Sequence, residues 1–175
     1  MHELTTVTDS AAAQLQQVRD LVALLDDAQY VRRPPGASSV AGHVRHCVDH
    51  YAALLAGAER GTVDYDRRER GGALETDRTL ALARLDVVRS RVRALAPGVL
   101  DRPVEVSGIV DARGTVARSR STVGRELLFV AHHAVHHLAL MMPVVRTLGV
   151  SVPADLGYAP ATMAFLRQRD GGTPA

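Results

Sequence analysis

Residues 126–142, ELLFVAHHAVHHLALMM, constrain the fold more strongly than any other part of the chain. This stretch combines good helix formers with four histidines and contains neither Gly nor Pro, so it predicts a helix. Its histidines form two pairs spaced by about one helical turn, His132 with His136 and His133 with His137. Because a buried polar group without a partner costs about 1 to 3 kcal/mol, imidazoles in so apolar a helix indicate a shared partner for their ring nitrogens.

A second histidine-rich helix is predicted from the capping residue Ser38 or Ser39 to Gly61. Its histidines fall within a stripe of about 60° beside the apolar face of the helix; they are His43, His46 and His50. An HxxxH pair on one helix and a histidine on a facing helix make a three-imidazole set, which can hold a divalent ion and leave one coordination position open. The two helices therefore predict a metal site between them.

The rest of the sequence completes a helical bundle. Residues 103–120 mix apolar with small or polar residues around a turn, which indicates a short β-hairpin or an extended crossover. The sequence therefore predicts a single all-α domain over residues 1–175, a four-helix bundle with a long crossover between the third and fourth helices. The other predicted elements are helices over 10–32 and 74–96, the extension of the histidine helix to Gly149, a short helix over 161–169 and a loose tail at 171–175.

Composition narrows the class of protein. Contents of 46% hydrophobic and 23% charged residues are typical of a soluble globular domain. Histidines interrupt the longest apolar run, and the N-terminus lacks the blocks of a signal peptide, so we expect no membrane partner and a cytoplasmic location. The single cysteine, Cys47, agrees with a reducing compartment and is expected in the core. The 21 basic residues are dispersed arginines and the chain has no Trp, so we expect no nucleic-acid partner.

Three stretches carry a resemblance to a known family: SSVAGHVRHCVDHY, STVGRELLFVAHHAVHHLAL and LGYAPAT. Together they resemble the DinB/YfiT-like superfamily of metal-dependent four-helix-bundle proteins, which is related to the N-terminal domain of ergothioneine-type sulfoxide synthases. The resemblance implies that His46, His133 and His137 bind the metal. The additional histidines His43, His50 and His132 leave a shift of register open. Leu138 and Ala139 stand where many members have arginine and glycine, so contacts made by those residues do not transfer.

Four further residues are candidate catalytic or substrate-contacting groups: Glu126, Asp49, Tyr65 and Arg67. Glu126 shares the face of the His133 and His137 pair but lies about two turns, ~10 Å, from His133. Asp49 could orient an imidazole or could simply pair with Arg45 at the surface. The polar loop that carries Tyr65 and Arg67 could be solvated surface or could contact a substrate or a second subunit. His132 and His136 point about 100° away from the proposed ligand pair, where a role as surface residues is favoured.

An ion held by three imidazoles can lower the pKa of bound water to about 7, keep a thiol deprotonated or polarise a carbonyl. The resemblance favours thiol chemistry, because characterised relatives include thiol-dependent S-transferases and a mycothiol-dependent maleylpyruvate isomerase. We therefore expect an enzyme that uses a divalent metal (Zn, Ni, Fe or Mn) to activate water or a low-molecular-weight thiol such as mycothiol, acting on a small-molecule substrate as a transferase or hydrolase. The resemblance also implies a homodimer. Two alternatives stay open: a non-catalytic metal-binding or stress-related bundle, and a biosynthetic specialist that binds a natural-product intermediate.

Overall fold

The computed structural model describes residues 2–67 and 71–169, so the predicted tail at 171–175 lies outside the described residues. Within these residues the chain is mostly helical and contains one small sheet. In chain order the elements are α1 (His2–Ala23), α2 (Asp27–Val31), α3 (Val40–Arg60), β1 (Thr62–Asp64), a 3₁₀ turn (Ala73–Glu75), α4 (Arg78–Arg93), α5 (Pro97–Leu100), β2 (Pro103–Ile109), β3 (Val116–Thr122), α6 (Val123–Thr147) and α7 (Pro160–Arg169).

The four long helices pack through their apolar faces. Helix α1 contacts α4 and α6, and α3 contacts the same two helices. Their buried side chains form one continuous core that includes Leu15, Val18, Tyr51, Leu54, Leu85, Leu127, Leu138 and Met141. Full burial of a side chain of this size contributes about 1.5 to 3 kcal/mol, so this core holds α3 and α6 side by side. The two histidine-rich helices are therefore neighbours.

The sheet corrects the expectation of an all-α fold. Strands β2 and β3 form the predicted antiparallel hairpin, with Val106 opposite Ser119. Its turn is held by Asp111, whose carboxylate accepts hydrogen bonds from the backbone N–H groups of Arg113 and Thr115. Strand β1 adds a parallel edge, with Val63 opposite Val106. Strand β1 is not predicted from the sequence, because a strand of three residues is too short to establish an alternating pattern.

Several helix boundaries differ from the predicted ones. The first helix begins at His2 rather than at residue 10, and it ends at Ala23 because Asp26 starts α2 with a capping box to Gln29. Helix α4 begins later than predicted, after the cap Asp77. Pro97 begins the short helix α5 instead of only ending the preceding one, since proline suits the first turn of a helix.

The two histidine helices have the predicted boundaries within a few residues. Ser39 caps α3 by accepting a hydrogen bond from the N–H of Gly42, and Gly61 ends the helix with a left-handed φ of 78°. Thr122 caps α6, which continues through Pro143. By length and composition alone α6 could cross a membrane, but half of its most apolar window is buried inside the fold, as in the core helix of a soluble protein. Its length and hydropathy are therefore weak evidence for a membrane span.

Candidate metal centre

Three imidazoles from α3 and α6 converge where these helices pack. The Nε2 atom of His46 lies 2.9 Å from Nε2 of His133, which in turn lies 3.1 Å from Nε2 of His137. Two nitrogens that bind one ion at ~2.1 Å lie about 3.0 to 3.4 Å apart when the bonds enclose about 90° to 109°. The observed spacing is therefore suitable for a shared metal ion.

The orientation of the three rings supports the same interpretation. The ring centres of His46, His133 and His137 are separated by 4.9, 4.6 and 4.5 Å, and the planes are inclined to one another by 62°, 68° and 72°. The rings therefore meet edge-to-face instead of stacking, and the Nε2 atoms form the contacts of His133 with His46 and His137. His137 is buried, with 9% of its surface exposed, whereas His46 and His133 are half-buried. The site therefore lies at the edge of the core, within reach of solvent.

A second set of three histidines overlaps with the first. His46, His50 and His133 each offer a ring nitrogen within 4.8 Å of the other two. His50 follows His46 by one turn of α3, and its Nδ1 lies 3.0 Å from the backbone carbonyl oxygen of His46. Both sets share the 2.9 Å contact between His46 and His133, and the first set adds the 3.1 Å contact between His133 and His137. The structure thus brings together the predicted ligands His46, His133 and His137, and adds His50, which the sequence analysis left as an alternative.

His43 contacts the cluster through His137. The Nδ1 atoms of the two rings lie 2.9 Å apart, so one ring donates a hydrogen bond and the other accepts it. If His137 presents the lone pair of Nε2 to an ion, its Nδ1–H donates to His43, which fixes the orientation of the ligand ring. By contrast, His132 and His136 are exposed on the outer surface of α6. His136 still packs its ring edge-to-face against His137, at 5.3 Å between ring centres.

The environment favours neutral rings in this cluster. Burial lowers the pKa of His137 to about 3, and the charges of His133, His46, His43 and His136 act in the same direction. Burial, and then the charge of His136, lower the pKa of His43. Both rings are therefore neutral near pH 7 in the absence of an ion. A metal ion must find deprotonated imidazole lone pairs in order to bind, and these two rings meet that condition.

Glu126 and Tyr65, both candidates from the sequence, are bonded to each other. The hydroxyl of Tyr65 donates to Oε2 of Glu126 over 2.8 Å, while Ser121 and Arg125 donate to Oε1 over 2.7 and 2.8 Å. The Glu126 side chain is almost fully buried. Burial, the hydrogen bond to Glu126 and the charge of Glu126 raise the pKa of Tyr65, so its hydroxyl stays protonated. The Tyr65 ring stacks on His50, with 5.1 Å between ring centres and 12° between the planes. Glu126 therefore supports the histidine cluster through Tyr65.

A cleft of about 550 Å³ reaches the imidazoles from the surface. Its lining includes His43, His46 and His137 together with Ser38, Ser39, Arg33, Arg45, Glu75 and Thr76. Arg45 is held on one side by Asp49, at 2.8 Å, and on the other by Glu75. Pockets for small molecules commonly measure about 300 to 1,000 Å³, so this cleft has room for a small substrate beside the histidines.

The remaining candidates from the sequence lie elsewhere. Asp49 and Arg67 border a separate groove of about 940 Å³, on the side of α3 that faces the sheet. Asp49 forms an ion pair with Arg45, which is one of the two alternatives that the sequence left open. Arg67 is exposed. Cys47 is fully buried in the core, and burial raises the pKa of its thiol to about 12. A neutral buried thiol is a poor nucleophile, so Cys47 contributes to packing rather than to chemistry.

The fold and the cluster together define a class of mostly helical proteins in which imidazoles from two packed helices could hold a metal ion. Within that class, the sequence profile of the DinB superfamily matches residues 11–141, which is most of the chain. The chain therefore belongs to the DinB superfamily.

Two known proteins illustrate the relationship. A DinB-like protein from Bacillus subtilis, YjoA, has a similar fold, with a TM-score of 0.61 and 16% sequence identity over 84% of this chain and 94% of that protein. At this level of identity the likeness concerns the fold alone. FK506-binding protein 5 from Rhizopus delemar is 32% identical over 108 residues, which are 61% of this chain. The chain spans only 28% of the length of that curated relative.

Proposed function

We propose that this DinB-superfamily protein is a divalent-metal-dependent enzyme that activates a low-molecular-weight thiol or water. The single observation that carries the proposal is the convergence of the Nε2 atoms of His46, His133 and His137, with contacts of 2.9 and 3.1 Å, from two different helices. Three imidazoles leave coordination positions available to a reactant, as in catalytic rather than structural sites.

Imidazole ligands suit zinc, nickel, iron and copper better than magnesium or calcium. When bound, such an ion supplies Lewis acidity, which lowers the pKa of a thiol or water placed beside it. The residues of the chain have three other tasks. His43 holds the ring of His137 through the 2.9 Å contact between their Nδ1 atoms. The hydrogen-bonded pair Tyr65 and Glu126 holds one wall of the cluster, and the apolar core keeps α3 and α6 in place.

The cleft indicates where a substrate would enter. It is lined by His46 and His137, so a molecule bound there lies against the cluster. Hydroxyl groups of Ser38 and Ser39 and the guanidinium of Arg33 border the same space. We therefore propose a polar small molecule as the substrate and a small thiol, such as mycothiol, or water as the nucleophile. The homodimer and the cytoplasmic location implied above stay predictions.

The proposal is tested by metal analysis and by activity measured on the same protein samples. Purified wild-type protein should contain about one divalent ion per chain. It should also transfer a small thiol to a member of an electrophile panel, and a chelator should abolish this transfer. His133→Ala should lose both the ion and the activity. His132→Ala is a matched control, because His132 is an exposed histidine on the same helix.

Two outcomes would decide against the enzyme. A wild-type protein with far less than one ion per chain, and no further loss in His133→Ala, would contradict metal binding at this cluster. Full occupancy without turnover of any thiol or hydrolytic substrate would instead favour the non-catalytic metal-binding alternative.

A further inference from the structure

We propose that His50 is a fourth imidazole ligand, so that two facing HxxxH pairs, His46 with His50 and His133 with His137, hold one ion. This inference rests on the proposed metal site, but it adds a fourth ligand to the three histidines proposed above. It starts from the spacing of α3, in which His50 follows His46 by four residues, as His137 follows His133 on α6.

The hydrogen bond of His50 determines which of its nitrogens can bind an ion. Its Nδ1 lies 3.0 Å from the carbonyl oxygen of His46, and a carbonyl oxygen can only accept, so Nδ1 carries the proton. In a neutral imidazole protonated at Nδ1, the lone pair is on Nε2. Histidines that bind metals usually donate their other ring N–H to a backbone carbonyl or a carboxylate. His50 therefore already has the hydrogen bond that is typical of a ligand.

The position of His50 places it within reach of the same ion. One ring nitrogen of His50 lies within 4.8 Å of ring nitrogens of His46 and His133. Its ring centre is 4.2 Å from that of His46, with the planes inclined by 65°, and 4.3 Å from that of His133, on which it is stacked at 26°. His43 differs, because it contacts His137 through Nδ1 and borders the cleft.

The surroundings of His50 keep its ring in this position. The side chain is buried, with 6% of its surface exposed, and the ring of Tyr65 stacks on its outer face. Tyr65 is fixed in turn by its hydrogen bond to the buried carboxylate of Glu126. The cleft is lined by His43, His46 and His137, whereas His50 is not part of its lining. His50 thus approaches from the interior, so a reactant that enters from the cleft would be a fifth ligand of the ion, a coordination number to which zinc sites can expand.

A site of four imidazoles has consequences for its ligand. All four donors are uncharged, so the full charge of a divalent ion remains available to a reactant. Imidazole donors favour nickel, copper, zinc and ferrous iron, and they bind magnesium and calcium poorly. The ion class that we assign to the site is therefore a divalent transition metal or zinc. An additional ligand also tightens binding, since loss of even an outer partner of a ligand costs about 10- to 100-fold in metal affinity.

X-ray absorption fine structure of the zinc-loaded and nickel-loaded wild-type protein counts the imidazoles without any substitution. Four imidazoles are expected, and three would overturn the inference while leaving the proposed function intact. The second arm compares His50→Phe with the wild type, because phenylalanine keeps a ring against Tyr65 but removes the nitrogens. His132→Phe, at an exposed position of α6, is the matched control.

In His50→Phe we expect one imidazole fewer, an affinity for zinc about 100-fold weaker in chelator competition, and a changed visible spectrum with cobalt. His132→Phe should match the wild type in all three measurements. If the zinc affinity and the cobalt spectrum of His50→Phe are unchanged, His50 contributes to packing and is not a ligand. If circular dichroism shows that this variant is unfolded, His50→Gln and the wild-type imidazole count decide. A wild-type protein that binds no ion would contradict the proposed function itself, which separates the two failures.

Discussion

The Nε2 atom of His133 lies 2.9 Å from the Nε2 atom of His46, although the two residues belong to different helices and are separated by 87 positions in the sequence. Neither ring depends on a loop for its position, because α3 and α6 pack directly against each other in the core. An ion that binds here therefore orders little of the chain. Sites on rigid elements are more precise than sites on loops, and this arrangement agrees with a role in positioning a reactant.

Metal binding should stabilise the protein without being required for its fold. Because the core is built from apolar side chains on four helices, the ion-free protein should keep its helical circular dichroism. A ligand that binds only the folded state stabilises it by about 2.7 kcal/mol at a free concentration of 100 times Kd. Zinc should therefore raise the melting temperature by several degrees, and a chelator should reverse this rise. Loss of helicity on chelation would indicate a structural ion instead.

The stability of the ion-free protein should fall as the pH is lowered from about 6.5 toward 3. The pKa of His137 is lowered by burial to about 3 from an ordinary value of 6.5, and that of His43 is lowered in the same direction. Below pH 6.5 the unfolded chain therefore binds protons that the folded chain does not, so the free energy of unfolding decreases as the pH falls. Urea midpoints at four pH values measure the slope, and His137→Gln should flatten it. An unchanged slope in His137→Gln would contradict the depressed pKa.

The sequence was sufficient to predict the two histidine helices because local signals mark their ends. Ser39 and Gly61 act as predicted, and Thr122 caps α6 in the same local way, through hydrogen bonds and a backbone conformation that involve only nearby residues. Strand β1 could not be predicted in this way. It pairs with β2, which begins about 40 residues later in the chain, and this pairing depends on tertiary packing.

The candidate site was predictable only where regular helical spacing carried the information. The spacing of four residues placed His133 and His137 on one face, and the structure brings them to His46. The same spacing between His46 and His50 was a usable signal for His50. The bond between Tyr65 and Glu126 had no such signal, because it joins the residues after β1 to the first turn of α6. Asp49 and Arg67 lie at a different groove. Their location could not be predicted either, because a position in a loop or on a polar helix face does not specify the tertiary neighbour.

Gly57→Ala should destabilise the protein and disturb the segment that carries Tyr65. A Cβ atom added at Gly57 would overlap with the Val63 side chain and lie 2.8 Å from the backbone oxygen of Thr62, so β1 would have to move. We expect a loss of about 1 to 3 kcal/mol, as for other overpacked core positions. Gly42→Ala, on the same helix, is the control, because its nearest neighbour would be an ordinary contact at 3.6 Å. Equal stability of the two variants in urea would show that β1 can shift to accommodate the added Cβ atom without a loss of stability.

The hydroxyl and the ring of Tyr65 should have separable effects. Tyr65→Phe removes one of three donors to the buried Glu126 carboxylate but keeps the ring that stacks on His50. Hydrogen bonds to charged groups contribute about 1.5 to 3 kcal/mol, so the urea midpoint should fall while the zinc affinity stays close to that of the wild type. Tyr65→Leu also removes the aromatic face, and it should weaken zinc binding because the ring of His50 can then turn away from the ion.

Comparison of these two variants distinguishes support of the metal site from general stability. Ser121→Ala removes another donor to Glu126 and no aromatic ring, so it should lower the urea midpoint and leave zinc affinity unchanged. If all three variants lose zinc affinity in proportion to their loss of stability, Tyr65 acts only through the fold. A loss of affinity confined to Tyr65→Leu would instead show that the aromatic ring of Tyr65 orients His50, through the stacking contact between the two rings.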